Sequence, residues 1–287
     1  MIFLIMALTP GDPASNILPL TAKQSVKDAF NESVGFTGGL PTRFGNYIKG
    51  LFTGNIISYS SGNNVFSELQ TRIPTTLSFG LLGFCISAVI GVALGILSAI
   101  RQYSFLDTTV TIFAVLFASI PSFFVAICLI LLFSVNLGVL PSFGGGSYKH
   151  FILPILTLVL ANIPILSRMT RSCMLDAMNQ DYIRTARAKG CSETRVIWKH
   201  ALKNACMPII TLLLTGLASV IGGAVIVEQI FTLPGIGMYL LHGISEKNVT
   251  VVMTSALLMS FIYMVAMVLL DMFYAMIDPK IRERYKK

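Results

Sequence analysis

Charged side chains make up only 12% of this 287-residue chain, against 54% hydrophobic residues. A soluble globular domain carries about 25% charged residues, so a water-soluble fold is excluded at the outset. Histidine is nearly as sparse, with His150, His200 and His242 the only three. They form no H-E-x-x-H pair and accompany no nucleophile elbow, which leaves metal-assisted and acyl-transfer hydrolysis without their usual residues. The pattern G-x-x-x-x-G-K-[ST] is also missing, so there is no phosphate loop with which to hold a nucleotide. None of Cys85, Cys128, Cys173, Cys191 and Cys206 has a partner at metal-ligand spacing. Free, reduced thiols are therefore expected. No internal repeat in the range of about 20–50 residues is visible.

What the chain does have is long apolar runs, and its mean hydropathy is +0.77. Five of them read as membrane spans: Thr75 to Ile100, Thr108 to about Val135, Phe151 to about Leu166, Ile209 to Val227, and Val251 to Ala275. Most reach the ~20 residues that a helix needs to cross the hydrocarbon core. The run from Phe151 is shorter, and a helix there extends through Arg168 by snorkelling. A sixth run, "MIFLIMAL", is too short to cross and stops at "TPGDPA". It reads either as the end of a first span that begins upstream of Met1 or as an interfacial stub. The fold class expected is all-α, a polytopic bundle of about six spans with the first one truncated. Residues 1–10 are the partial span, 11–74 an extracytoplasmic segment and 75–287 the core.

Orientation follows from the basic residues. Arg101, the cluster from Arg168 to Lys203, and Lys280, Arg282, Arg284, Lys286 and Lys287 all fall on one face. The positive-inside rule makes that face cytoplasmic, the C-terminus included. The formal net charge of +8 thus reflects membrane topology and is no nucleic-acid footprint. The segment 11–74 lies outside, where its length lets it translocate whatever its charge. Within it, "RFGNYIKGLF" places Phe44, Tyr47, Ile48, Leu51 and Phe52 on one helical face. "VFSELQTRIP" reads as a second short helix before the span. Such a cap either folds on the bundle or lies on the membrane surface.

Prolines interrupt two spans, Pro121 in one and Pro154 and Pro164 in the next. They kink the helices for packing, or Asn162 and Pro164 line a polar path through the bundle. The loop at about 168–205 stands apart, longer than a connection between spans needs to be. Its stretch "DYIRTARAKG" is helical by propensity up to Gly190, a residue suited to a left-handed helix stop. Ser192 is placed to cap the next helix. Small Ala186, Ala188 and Gly190 interleaved with arginines suit a docking surface, where small residues allow close approach and charges find partners. The plainer reading is a solvated basic loop.

"DYIRTARAKG" followed by "HALKNACMP" resembles the cytoplasmic signature of permease subunits of binding-protein-dependent ABC importers, in particular the dipeptide/oligopeptide/nickel branch. "TPGDPA", "ELQTRIPTTLSFG", "IVEQIFTLPGIG" and "IDPKIR" resemble further segments of that branch, in order along the whole chain. In the general signature Glu-Ala-Ala stands where this chain has Arg184, Thr185 and Ala186, and Pro208 lies further from Gly190 than in sugar-type importers. The resemblance implies a type I importer fold and a multi-pass protein of a prokaryotic inner membrane. It further implies an ATPase-coupling loop carried by Asp181, Arg184, Thr185, Ala186, Arg187, Ala188, Lys189, Gly190, Ser192 and Glu193. The partners implied are a second permease, two cytoplasmic ATPases, an extracytoplasmic solute-binding protein and membrane lipid. ATP and magnesium would sit on the ATPases, with no cofactor on this chain, which is no enzyme. Peptides are the cargo implied first, with nickel complexes or other small solutes as the alternative. An ion-driven secondary transporter would need ionisable residues within the membrane, where Asp271 is the one clear candidate. Asp271 is expected to pair with a basic residue such as Arg168 or to reach water.

Overall fold

The computed structural model describes residues 1–8, 12–36 and 38–277. The basic C-terminal residues Lys280 to Lys287, the "IDPKIR" motif beyond Ile277, and Thr9, Pro10 and Gly11 of "TPGDPA" lie outside them. Four short helices come first: α1 (Ile2–Leu8), α2 (Pro13–Ile17), α3 (Gln24–Ser33) and α4 (Leu40–Thr53). The long α5 (Val65–Ile100) follows, then α6 (Phe105–Ser119), α7 (Ser122–Leu129) with a wider π-helical continuation over Ile130–Asn136, and α8 (Lys149–Met178). After α9 (Asp181–Ala188) and α10 (Glu193–Arg195), a second π-helical stretch (Val196–Ala201) leads into α11 (Leu202–Phe231). The chain closes with α12 (Ile236–Ser245) and α13 (Val249–Ile277). Among the described residues only an isolated bridge between Ile57 and Asn64 is β.

By length and composition four helices cross a membrane, or up to six if each of two bent pairs counts as one span. The core of the bundle is α5 against α8, and its cause is legible in the sequence. Gly83, Ser87, Gly91 and Gly95 recur every fourth residue, one helical face of small groups. A Cβ on Gly91 would lie 2.7 Å from Leu166 Cβ, and one on Gly95 2.6 Å from the Ser167 carbonyl. The two backbones therefore approach as only small residues permit, which maximises dispersion contacts where lipid supplies no hydrophobic drive.

Three buried clusters lie along α5. Val65 and Leu69 pack with Tyr47, Ile236, Tyr239 and Val251 at one end. Phe79 packs with Leu129, Leu153, Val227 and Phe231. Ile96 and Ala99 pack with Met174, Ile183, Val196 and Ala205 at the other end. The first cluster decides where the cap sits, because it joins α4 to the ends of α12 and α13. Thr250 donates to the Ile57 carbonyl at 2.9 Å, and the Asn248 amide to Ser58 Oγ at 3.0 Å. The cap is folded on the bundle. Of its aromatic face, Tyr47 is buried, whereas Phe52 is 86% exposed.

The helices depart from the sequence expectations at two places, and a third segment, between two spans, is helical as well. Residues 65–74 form no separate short helix; they open α5, which runs through Pro74. Pro121 does more than kink a span, since α6 and the helix after it meet at 99°. Its ring and missing N–H end α6, and Val125, Ala126 and Leu129 of α7 turn into the central cluster. The connection from Glu228 to Thr250 is largely helical, with α12 bent by 75° from the end of α11.

The Gly190 turn and the polar nodes of the bundle

α9 is a two-turn amphipathic helix. It turns Ile183 and Ala186 into the cluster formed with Met174, Ala177, Val196 and Ala201. Asp181, Arg184, Thr185, Ala188 and Lys189 face outward. Asp181 lies in its first turn and Arg187 in its last, each sign matching the helix dipole. Gly190 ends it at φ +76°. The Gly190 N–H bonds to the Arg187 carbonyl at 2.9 Å and the Cys191 N–H to the Ala186 carbonyl at 3.2 Å. This pair of bonds is the Schellman closure, which satisfies two carbonyls that the helix end leaves open.

Arg187 then reaches across the turn. Its Nε meets Glu193 Oε1 at 2.7 Å and its Nη2 meets Oε2 at 3.2 Å, a bidentate pair joining α9 to α10. The Glu193 carboxylate holds the Arg187 guanidinium above its usual pKa. Three expectations are corrected here. Ala186 is small because it packs inward, so close approach to a partner would fall to Ala188 and Gly190. Arg187 is committed to Glu193 and is no free outward cation. Ser192 holds the extended backbone of a cap position, yet its hydroxyl makes no cap bond.

Asn162 and Pro164, two residues apart on α8, face different spaces. The Asn162 amide donates to the Leu158 carbonyl at 2.8 Å, and its side chain borders a cavity of about 80 Å³ with Gly80, Phe84, Gly216 and Ser219. Pro164 is buried against an apolar crevice lined by Leu94, Val110, Phe113 and Phe117. The two residues therefore line no common path.

Two ionic nodes escaped the sequence reading. Near the α9 end, Arg171 Nε and Nη2 donate to the two oxygens of buried Asp107 at 2.7 and 2.8 Å. The Ser98 hydroxyl and the Tyr103 N–H complete the carboxylate's bonding. At the opposite end Glu228 is fully buried. Thr76 Oγ1 donates to its Oε1 at 2.5 Å, the Met238 N–H to its Oε2 at 2.9 Å, and the Ile236 N–H in turn to Thr76 Oγ1 at 2.9 Å. A Cβ on Gly235 would stand 2.2 Å from Glu228 Cδ, and one on Gly237 2.7 Å from Val225 Cα. The glycines of "LPGIG" thus bring the amino end of α12 onto the carboxylate. Ser104, three residues before Asp107, was the sequence signal for the first node. Asp271, singled out instead, is exposed and has no ion pair among the described residues.

Residues 91–283 match the family described as "Binding-protein-dependent transport system inner membrane component". The chain belongs to this family of transport permeases. It is 36% identical to the oligopeptide transport system permease protein AppB of Bacillus subtilis over 97% of this chain and 92% of that protein. It is 34% identical to the glutathione transport system permease protein GsiC of Escherichia coli O6:H1, over 98% and 92%. Among solved structures, the inward-facing MetNI methionine ABC transporter aligns with a TM-score of 0.62 at 20% identity, covering 72% of this chain and 94% of that one. An amino acid ABC transporter aligns at 0.61 and 13% identity, over 72% and 93%. The fold is that of ABC importer permeases. Such a permease is a membrane-embedded transport subunit, not an enzyme, and it works with a binding protein and an ATPase.

In this permease the Arg187–Glu193 pair predicts a charge-swap result. Arg187→Glu alone places two carboxylates together across the Gly190 turn and should weaken transport strongly. Arg187→Glu with Glu193→Arg restores the pair and should recover most of the loss, measured as uptake in proteoliposomes. A swapped variant as inactive as the single one would mean that Arg187 acts on a partner and not on its own turn.

Proposed function

We propose that this chain is the permease through which an ATP-driven importer moves peptides across a prokaryotic inner membrane. One copy stands beside a related permease, above two cytoplasmic ATPases and below a solute-binding protein. The observation that carries this reading is the outward face of α9. Arg184, Thr185 and Ala188 lie on a helix, with Lys189 capping it, whose far end is fixed by the Gly190 closure and the Arg187–Glu193 pair. A face fixed before any partner arrives loses little freedom on docking. The same end collects Arg168, Arg195, Lys199 and Lys203, which supports a cytoplasmic location for it and for the C-terminus. ATP-driven closure of the ATPases would move α9 and, through it, the bundle between two arrangements. Peptide cargo is supported by relatives named for oligopeptide and peptide transport.

Gly190→Val and Lys189→Glu test the docking face. A Cβ at Gly190 meets nothing within 4 Å in this chain, so the cost there is the left-handed backbone, about 1–2 kcal/mol. Both variants should insert normally, lose co-purifying ATPase and lose uptake. Normal association and uptake in both would leave the Gly190 turn as a solvated loop.

A further inference from the structure

α11 carries a row of polar side chains that its own fold leaves uncovered. Asn204, Thr211, Thr215 and Ser219 are all exposed. At about 100° per residue they fall within an arc of roughly 80° on one side of the helix. Other outward faces are different. α13 presents Phe261, Met264, Val268 and Met272, and α6 presents Ile112, Phe113 and Leu116. The exposed hydroxyls of α6, Thr108, Thr111 and Ser119, are interrupted by exposed Ile112, Val115 and Leu116. Ser260 and Tyr263 of α13 lie among Phe261, Met264 and Val268, whereas no apolar residue interrupts the α11 row except Pro208. A polar row facing acyl chains gains nothing from them, whereas a water-filled path solvates it. A second observation points the same way: Ser219 borders the small cavity that also receives Asn162 of α8.

Thr211 donates its proton to the Met207 carbonyl at 2.9 Å, Thr215 to the Thr211 carbonyl at 2.9 Å and Ser219 to the Gly216 carbonyl at 2.8 Å. The Asn204 amide nitrogen is likewise committed to the His200 carbonyl at 2.7 Å. With their protons bonded to the backbone, the hydroxyls turn lone pairs outward. Pro208, exposed on the same side, has no N–H to occupy the Asn204 carbonyl. Between Lys203 and Glu228 the helix carries no charged residue.

Resting on the permease reading, we propose that this face of α11 is the chain's wall of the aqueous path, and that it receives the N–H groups of passing cargo on uncharged acceptors. Backbone amides are common to all peptides. A wall that reads them without charge passes acidic, neutral and basic sequences alike, and leaves selection to other parts of the system.

The test uses the full chain reconstituted with its partner subunits. In a background where the five cysteines are replaced, single cysteines are placed at Thr211, Thr215 and Ser219, with Val268→Cys as the outward-facing control. A membrane-impermeant methanethiosulfonate reacts with thiolate in water, so the three α11 sites should label at least about tenfold faster than the control. Labelling no faster than at position 268 overturns the wall assignment, whatever the complex transports. The second arm compares uptake of Ala-Glu-Ala, Ala-Ala-Ala and Ala-Lys-Ala. Thr215→Asp should shift the acidic-to-basic uptake ratio by about tenfold against the acidic peptide, through like-charge repulsion, while Thr215→Val leaves the ratio unchanged. An unchanged ratio in Thr215→Asp overturns recognition at this wall. Rapid labelling without uptake of any of the three peptides would instead count against peptide cargo.

Discussion

Gly235→Ala is expected to cost this permease most of its correctly folded population. Gly235 has φ −101°, which suits any residue, so backbone torsion is not the obstacle. The obstacle is the added Cβ, which would stand 2.2 Å from the carboxylate carbon of Glu228. Glu228 cannot swing away, because it is fully buried and bonded to Thr76 and Met238. Overpacking of this kind costs about 1–3 kcal/mol where neighbours yield, and more where they are pinned. The monodisperse peak on size-exclusion in detergent should shrink to a minor fraction. Glu228→Ala leaves the Thr76 hydroxyl and the Met238 N–H without their acceptor, at about 1–3 kcal/mol each. It also clears the space that a methyl group at position 235 needs. The double variant should therefore be no less stable than Glu228→Ala alone, and additive losses in the cycle would refute the packing account.

Arg171→Ala should be nearly as damaging, for an electrostatic reason. Asp107 is buried, and its two oxygens take Arg171 in bidentate fashion. Removing one partner of a buried ion pair costs about 3–5 kcal/mol, because a charge is left without compensation. Here the stranded carboxylate would also disturb the turn before α6, where Tyr103 sits at φ 61° and gives its N–H to Asp107. Asp107→Ala combined with Arg171→Ala removes both charges and should recover part of the thermal stability lost by Arg171→Ala. If the double variant melts no higher than the single one, the pair is not what holds α6 to α8.

What the sequence showed and what it hid divide along the range of the interactions involved. The long apolar runs mark helices because crossing length and composition are local properties, and α5, α8, α11 and α13 lie where those runs are. Gly190 was legible for the same reason, since a left-handed stop needs one residue and its nearest carbonyls. The 99° break after α6 was not, because a proline in a span is compatible with a kink or a break. Packing of Val125, Ala126 and Leu129 against α8 and α11 chose between them. Glu228 directly follows the apolar run Ile209 to Val227, and nothing local to it signals burial. Its burial depends on Thr76, 152 positions away, and on glycines whose purpose shows only when the helices meet. Ala186 was misread because small size serves inward packing and outward docking equally well. Its spacing of three from Ile183 pointed inward all along.

α5 is the one described helix with side chains in all three buried clusters, at Val65 and Leu69, at Phe79, and at Ile96 and Ala99. Its 36 residues make a beam about 54 Å long. Phe79, in the central cluster, lies about 21 Å along the helix from Val65 and about 26 Å from Ile96. With arms of similar length, a tilt of α5 driven at the α9 end, as the proposed coupling requires, would reach the cap with similar amplitude and opposite direction. Under the coupling proposed above, the cap and the Gly190 turn would be the two ends of one lever, joined through a single helix.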